Sequence, residues 1–287
     1  MTRNDRVTFL RERFAARELV VAPCCYDAIS ARIIGEAGFP ATFMSGFGVA
    51  AARYGVPDNG LIGYAEMVET LRLICAANPD IAVVADGDTG YGNAMNVRNT
   101  VTGYAQAGAA AIMIEDQVTP KRCGHMDGKT VVSFDDARTR IRAAVDARRE
   151  GGLDILIVAR TDARAPHGFD EALRRLHAFK AEGADLLFLE APANEDELRR
   201  FAAEIGAPAM ANLVPGGKTP VLAPARLQEL GFAFAIYHQA LFGAIEAMKR
   251  AFAALATGDP EGVPTTPFDE VKRLAGAEEY STTSARY

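Results

Sequence analysis

The sequence predicts an α/β protein of the closed (β/α)8 TIM barrel class, a single domain spanning residues 1–287. Three observations carry that expectation. Short apolar runs, many of them β-branched, alternate eight times with longer amphipathic segments. The runs are continuously apolar, as strands buried on both faces of a parallel sheet are. No Pro/Gly/Ser-rich linker or charge block divides the chain. Right-handed strand–helix crossovers repeated eight times close such a sheet into a barrel, with an open doubly wound sheet as the alternative.

In chain order the expected strands are 19–22, 42–44, 81–85, 110–114, 155–159, 186–189, 209–211 and 233–236. Between them lie expected helices near 26–37, 63–77, 94–107, 134–150, 169–182, 194–205 and 223–230. After the eighth strand, about 238–287 is expected to form a last helix (239–255) and a Pro-containing polar assembly tail that exceeds what barrel closure requires.

Composition narrows the partners. With 31 Lys and Arg against 37 Asp and Glu, the net charge is −6, and no basic tract is present. Neither nucleic acid nor an anionic membrane surface is an expected partner. The first twenty residues scatter charge and lack an apolar core, so they do not read as a signal peptide. The uncharged runs 37–52 and 99–114 are shorter than the roughly 20 residues of a membrane helix, and Gly interrupts both. Cys24, Cys25, Cys75 and Cys123 have neither disulfide-framework nor zinc-ribbon spacing. A cytoplasmic protein with reduced thiols is expected.

Chemistry concentrates where the strands end. Met44-Ser45-Gly46, Ala85-Asp86-Gly87-Asp88, Ile114-Glu115-Asp116, Ala159-Arg160-Thr161-Asp162, Leu189-Glu190 and Ala211-Asn212 would all point to the C-terminal face of a barrel, where such enzymes place their sites. Carboxylates after strands three to six, converging on one mouth, need a neutralising cation. In Asp86-Gly87-Asp88-Thr89-Gly90-Tyr91-Gly92 both acids can face an ion, and the oxygen-only donors favour Mg²⁺ (or Mn²⁺) over Zn²⁺. An Asx turn is the alternative reading of the same residues.

In the connection after strand four, Lys121-Arg122-Cys123-Gly124-His125 surrounds a thiol with cations and an imidazole. Such surroundings are expected to lower the thiol pKa and equip it for proton transfer. Gly124 and Gly128 would let the segment move as a lid. Other matches fail: Pro215-Gly216-Gly217-Lys218-Thr219 lacks the first glycine of a P-loop, and the Arg-rich stretch 138–149 reads as a solvated helix face. His167 and His177 read as surface residues, while Tyr237 and His238 either line the mouth or pack.

Taken in order and spacing, Ser45-Gly46, the Asp86–Gly92 motif, Glu115-Asp116-Gln117, Lys121-Arg122-Cys123-Gly124-His125, Arg160, Glu190 and Asn212-Leu213-Val214 resemble the isocitrate lyase / phosphoenolpyruvate mutase superfamily over roughly residues 5–250. The resemblance implies a (β/α)8 barrel with a C-terminal helix swapped between subunits of a dimer, within a homotetramer. It implies Mg²⁺ held by Asp86 and Asp88, with Asp58 and Glu115 as outer carboxylates. Ser45, the Gly46 amide and Arg160 would bind a 2-oxo-carboxylate, and Phe47, Gly124, Glu190 and Asn212 would line the pocket. Cys123 would be the general acid of the lyase branch, with Lys121, Arg122 and His125 stabilising charge.

The sequence also departs from that pattern. Met126 stands where methylisocitrate lyases carry Arg after Cys-Gly-His, and Gly243 where their strand-eight Arg binds an extra carboxylate. Phe47 replaces a glycine, Phe43 a tyrosine and His238 a proline. Without that guanidinium a smaller dicarboxylate is expected, as in the 2,3-dimethylmalate lyase, petal-death-like and oxaloacetate hydrolase groups. The expected activity is carbon–carbon cleavage of a 2-hydroxy or 2-oxo dicarboxylate. Oxaloacetate hydrolysis or decarboxylation, a carboxyphosphonoenolpyruvate-type phosphonomutase, and a silent oxo-acid-binding protein are the alternatives.

Overall fold

The structure, a computed structural model, describes residues 3–259, 263 and 265–287. Its eight strands form one closed parallel barrel in sequential order. They are β1 (Val20–Cys25), β2 (Ala41–Met44), β3 (Ala82–Asp86), β4 (Ala111–Glu115), β5 (Leu156–Thr161), β6 (Leu186–Leu189), β7 (Ala209–Leu213) and β8 (Phe234–Tyr237). Every expected apolar run contributes a strand. Several strands extend further than the runs, because ladder pairing continues into the polar residues: Asp86 is in register with Met113, Glu115 with Arg160 and Asn212 with Ile236.

Alternation along each strand builds two cores. Residues such as Val83, Ile112, Ile157 and Leu187 pack with the helices, while Phe43, Val84, Met113, Val158, Phe188, Met210 and Ile236 share a second cluster that fills the barrel. That second cluster includes Val7, Leu10 and Phe14 of α1 (Arg3–Ala16), a helix the sequence reading did not expect. Their spacing of three and four residues gives α1 one narrow apolar stripe, and the Phe14 ring meets Phe234 edge-on with centroids 6.0 Å apart.

The other helices are α2 (Ala28–Glu36), α3 (Gly46–Val49), α4 (Tyr64–Ala77), α5 (Ala94–Ala107), α6 (Phe134–Glu150), α7 (Arg164–His167), α8 (Phe169–Glu182), α9 (Glu195–Glu204), α10 (Pro224–Leu230), α11 (Gln239–Ala256), α12 (Phe268–Leu274) and α13 (Ala277–Ser284). A π-helical turn, Ala50–Tyr54, follows α3. Side-chain caps set the starts of α2 (Asp27), α5 (Asn93), α6 (Ser133) and α9 (Asn194) by accepting otherwise unpaired backbone amides.

The C-terminal segment differs from a plain polar tail. It contains α12 and α13, and Arg273 forms a two-pronged bridge, each arm 2.7 Å, to Glu36 at the end of α2. On α11 only Leu241 is buried, whereas Phe242, Ile245, Met248, Phe252 and Leu255 are exposed. No helix among the described residues is long and apolar enough to cross a membrane.

The α1 stripe yields a stability test. Leu10→Ala should destabilise the protein by about 2–5 kcal/mol in chemical denaturation, as expected for a truncated core leucine. Replacing exposed Arg17 by Ala should change it by less than about 0.5 kcal/mol. Equal effects would show that α1 does not close the barrel core.

Candidate active site

The strand alternation that fills the barrel continues one layer higher. Two residues beyond the inward-facing Phe43, Val84, Met113, Val158, Phe188, Met210 and Ile236 stand Ser45, Asp86, Glu115, Arg160, Glu190, Asn212 and His238. The site is therefore the next interior layer with polar residues in place of apolar ones, at the C-terminal face. A cavity of about 220 Å³ opens there.

Of the expected site residues, Ser45, Phe47, Asp58, Asp86, Cys123, Gly124, His125, Arg160, Glu190 and Asn212 line it. Asp88, Glu115, Lys121, Arg122 and Gly46 do not line it. The first three of these are buried against the lining residues' partners, but Arg122 is exposed, with Nη1 3.4 Å from the Asp127 carbonyl that accepts its hydrogen bond. The Gly46 amide donates to Asp86 Oδ2 at 3.3 Å rather than standing free for a ligand. A side chain on Gly46 would sit 2.8 Å from that same oxygen, so glycine is what permits the close approach.

Asp86 and Asp88 do form an Asx turn: the Asp88 amide donates to Asp86 Oδ1 at 3.0 Å, with Asp88 at φ +48°. The cation beside them is the protein's own Lys121. Its ammonium hydrogen-bonds Asp58 and lies 2.8 Å from Asp88 Oδ1. Burial works against the Lys121 charge, but Asp88, Asp58, Glu115 and Asp86 outweigh it and raise its pKa. One basic side chain does not balance the cluster. Burial, then the Asp88 charge, pushes Asp86 up to about 7, and burial raises Glu115 well above the carboxylate range despite Arg160 Nε at 3.2 Å.

These residues fit a hard divalent cation. Asp88 Oδ1 and Glu115 Oε1 are buried with no aligned hydrogen-bond donor, and every donor atom in the cluster is oxygen. Among the described residues no three His, Cys, Asp or Glu groups form a ready cage. A Mg²⁺ bound by one or two carboxylates, with water and ligand completing its shell, requires none.

The thiol differs from the sequence expectation. Burial, followed by the Asp58 charge, raises the Cys123 pKa to about 11 instead of lowering it. The physical reason is placement: Lys121 is committed to carboxylates and Arg122 is exposed, so the lowering that Lys121 exerts on the thiol is outweighed by burial and the Asp58 charge. Cys123 is consequently a protonated thiol at neutral pH, suited to donate a proton. Burial also lowers the His125 pKa. Its Nδ1 accepts the Lys218 amide at 3.0 Å, so the neutral ring carries its proton on Nε2, 3.3 Å from Glu190 Oε1.

Several contributors lay outside the expected site residues. Pro215, Gly216 and Gly217, rejected as a P-loop, wrap the cavity with Val214 beside His125. Phe43, Met113, Phe188 and Ile236 supply an apolar wall. Asn212 Oδ1 accepts from His238 Nε2 at 2.9 Å, and burial lowers His238 to about 4, so this ring is a neutral hydrogen-bond partner. Arg140 leaves the supposed solvated face of α6 to donate to the Glu115 and Gln117 carbonyls at 2.6 and 3.0 Å. Asp162 is fully buried and accepts from Arg160 Nε and Nη2 at 2.8 and 3.0 Å and from Lys129 Nζ at 2.8 Å. Only its position after a strand marked it in the sequence.

Burial alone would raise the Asp162 pKa, but Arg160 and Lys129 hold it at about 2. A depressed carboxylate contributes stability above its unfolded pKa near 4 and loses it as pH falls through its folded value. Asp162→Asn should therefore cost about 3–5 kcal/mol at pH 7, because it leaves buried cations unpaired. The deficit should persist to about pH 4 and close only towards pH 2; denaturation curves that converge between pH 7 and 5 would contradict this assignment.

Comparison with known proteins agrees with the architecture. The family profile described as phosphoenolpyruvate phosphomutase matches residues 10–256. The chain is 43% identical to the 2,3-dimethylmalate lyase of Eubacterium barkeri over 282 residues, covering 97% of this chain and 96% of that protein. A crystal structure of 2,3-dimethylmalate lyase superposes with a TM-score of 0.94 at 38% identity, covering 100% of this chain and 95% of the other. Oxaloacetate acetylhydrolase in complex with the inhibitor 3,3-difluorooxalacetate gives 0.93 at 32% identity, covering 98% and 97%. On the strength of a profile spanning most of its length and a relative matched almost end to end, this chain belongs to the phosphoenolpyruvate phosphomutase family of the isocitrate lyase/PEP mutase superfamily and is an enzyme of its lyase type.

Proposed function

We propose that the enzyme cleaves a carbon–carbon bond of a 2-hydroxy dicarboxylate of the alkylmalate type, or of a 2-oxo dicarboxylate. The 2-hydroxy substrate gives a 2-oxo acid and a carboxylate; a 2-oxo substrate would consume a water and give oxalate and a carboxylate. The carrying observation is the protonated Cys123 thiol on the cavity wall, facing the same space as Arg160 and an apolar surface. Arg160 is the one guanidinium among the described lining residues, while Phe43, Phe47 and Ile236 suit alkyl substituents better than a third carboxylate. The match to a 2,3-dimethylmalate lyase points the same way.

In this reading Arg160 and the Ser45 hydroxyl hold one substrate carboxylate and its 2-oxygen. When the 2-hydroxyl proton passes to a lining carboxylate, with Glu190 the one not assigned to the metal cluster, the C2–C3 electron pair passes to C3 as an enolate-like carboxylate and C2 becomes a carbonyl. Cys123 gives its proton to C3, and His125 and Lys121 stabilise charge around the cleft. Asp86 and Asp88, backed by Asp58 and Glu115, would hold Mg²⁺ (or Mn²⁺), which supplies Lewis-acid stabilisation of charge on the 2-oxygen when bound. Arg122 has no role in this scheme unless it turns inward.

The apolar exposed stripe of α11 supports an assembly in which that helix packs on a second copy, as a helix-swapped dimer within a homotetramer. Cys24, Cys25 and Cys123 are free thiols, which supports a cytoplasmic setting.

A panel of malates, alkylmalates and oxaloacetate with Mg²⁺ should give a 2-oxo acid and a carboxylate from an alkylmalate. Oxalate plus acetate as the main products, or a phosphonate signal in phosphorus NMR, would favour the hydrolase or mutase reading. Binding of oxalate with no turnover of any panel member would favour a silent binding protein. Cys123→Ser should lower kcat by about 10²–10⁴-fold, and retained activity would end its general-acid role.

Because Asp86 is held near pH 7, Mg²⁺ added to the metal-free enzyme at pH 7 should release protons, read by calorimetry in buffers of different ionisation enthalpy. Asp88→Ala should abolish that release together with activity. For the assembly, Met248→Glu with Phe252→Glu should shift the sedimenting species to a smaller one, and an unchanged species would argue against the α11 interface.

A further inference from the structure

Cys123 sits on a loop, yet the backbone on both sides of it is held by buried side chains that do not line the cavity. On its N-terminal side, Gln117 grips the peptide groups of Arg122 twice: Nε2 donates to the Arg122 carbonyl at 2.8 Å, and Oε1 accepts the Arg122 amide at 3.0 Å. On its C-terminal side, Lys129 Nζ donates to the Gly124 carbonyl at 2.5 Å. Both gripping side chains are anchored to the barrel. Gln117 pairs with Val131 in an antiparallel bridge, and its own carbonyl accepts from Arg140. The Lys129 ammonium is completed by Asp162, and the same Asp162 carboxylate takes two hydrogen bonds from Arg160.

We propose that Gln117 and Lys129 are positioning residues that clamp the backbone on either side of Cys123, at Arg122 and at the Gly124 carbonyl, and so fix the sulfur over the cavity. Lys129, through Asp162, ties the loop to the substrate-facing Arg160. Gly124 shows how tight this arrangement is: a side chain there would collide with Glu190 and with the Arg160 guanidinium. An ordinary flexible loop would hold its thiol loosely and lose orientation in the proton transfer. Two buried grips, one of them charge-assisted, remove that freedom while leaving the cavity itself unaltered.

The inference rests on the reading of Cys123 as the acid, but its test does not depend on turnover. Cys24, Cys25 and Cys75 are buried, so alkylation by iodoacetamide, with Cys123→Ser as the blank, reports the exposure of Cys123. In the full-length enzyme, Lys129→Met and Gln117→Met should each accelerate Cys123 alkylation by about tenfold, the equilibrium factor of one charge-assisted or two neutral hydrogen bonds. Each should lower kcat by a similar factor with a smaller change in KM, and Lys129→Arg, which retains a donor cation for Asp162, should recover part of both losses.

Gln117→Met leaves no buried charge unpaired, so it decides the matter if Lys129→Met does not fold. Alkylation rates and kcat within twofold of the parent in the folded variants would overturn the clamp. Faster alkylation with undiminished turnover, together with an active Cys123→Ser, would uphold the clamp and remove the acid role instead.

Discussion

An excess of buried negative charge at the barrel mouth is the constraint on which the rest of the site depends. Asp58, Asp86, Asp88, Glu115, Asp116, Asp162 and Glu190 are all buried there, against Lys121, Lys129, Arg160 and Arg175. Seven carboxylates facing four cations cannot all remain ionised in a medium of low dielectric. The structure resolves the excess unevenly. Asp162, between Arg160 and Lys129, stays far below the ordinary carboxylate range, whereas Asp86 and Glu115 rise above it. The ionised end of the layer, around Asp162, is the structural anchor; the other end, around Asp86, holds the carboxylates whose pKa values rise, and Glu115 Oε1 there is buried without a hydrogen-bond donor.

The same charge distribution governs the loop. Lys121 belongs to the loop but is spent on Asp58 and Asp88, and Lys129 is spent on Asp162 and the Gly124 carbonyl. Two basic side chains thus pull the segment onto the acidic layer from both sides of Cys123. With its cationic neighbours engaged elsewhere, burial and the Asp58 charge keep the thiol pKa high. A lone cysteine among basic residues would ordinarily read as a thiolate nucleophile. Here burial raises the thiol pKa instead of lowering it.

Much of this was legible in one dimension. The eight strands could be read because parallel barrel strands are apolar on both faces, and the site residues because they stand where each apolar run stops. Helix α1 was hidden, since Val7, Leu10 and Phe14 form too narrow a stripe among charged residues to stand out. Arg122 was placed with the reactive group by adjacency alone, although neighbouring residues in an extended loop point in opposite directions. Lys129 and Arg140 carry no motif, and the motifs holding Gln117 and Asp162 did not show their role, because what all four do is hold the peptide groups and charges of distant residues.

By itself the sequence determined the strand–helix alternation, the closed parallel architecture and the list of chemical groups at the mouth, because those depend on periodicity and on where polarity begins. Only the tertiary structure decided which carboxylate meets which cation, that the Cys123 thiol is protonated, and that Gly46 serves Asp86. Protonation and pairing are set by distance and burial, and residues such as Lys129 and Asp162, 33 positions apart, acquire their 2.8 Å contact only when the chain closes into a barrel.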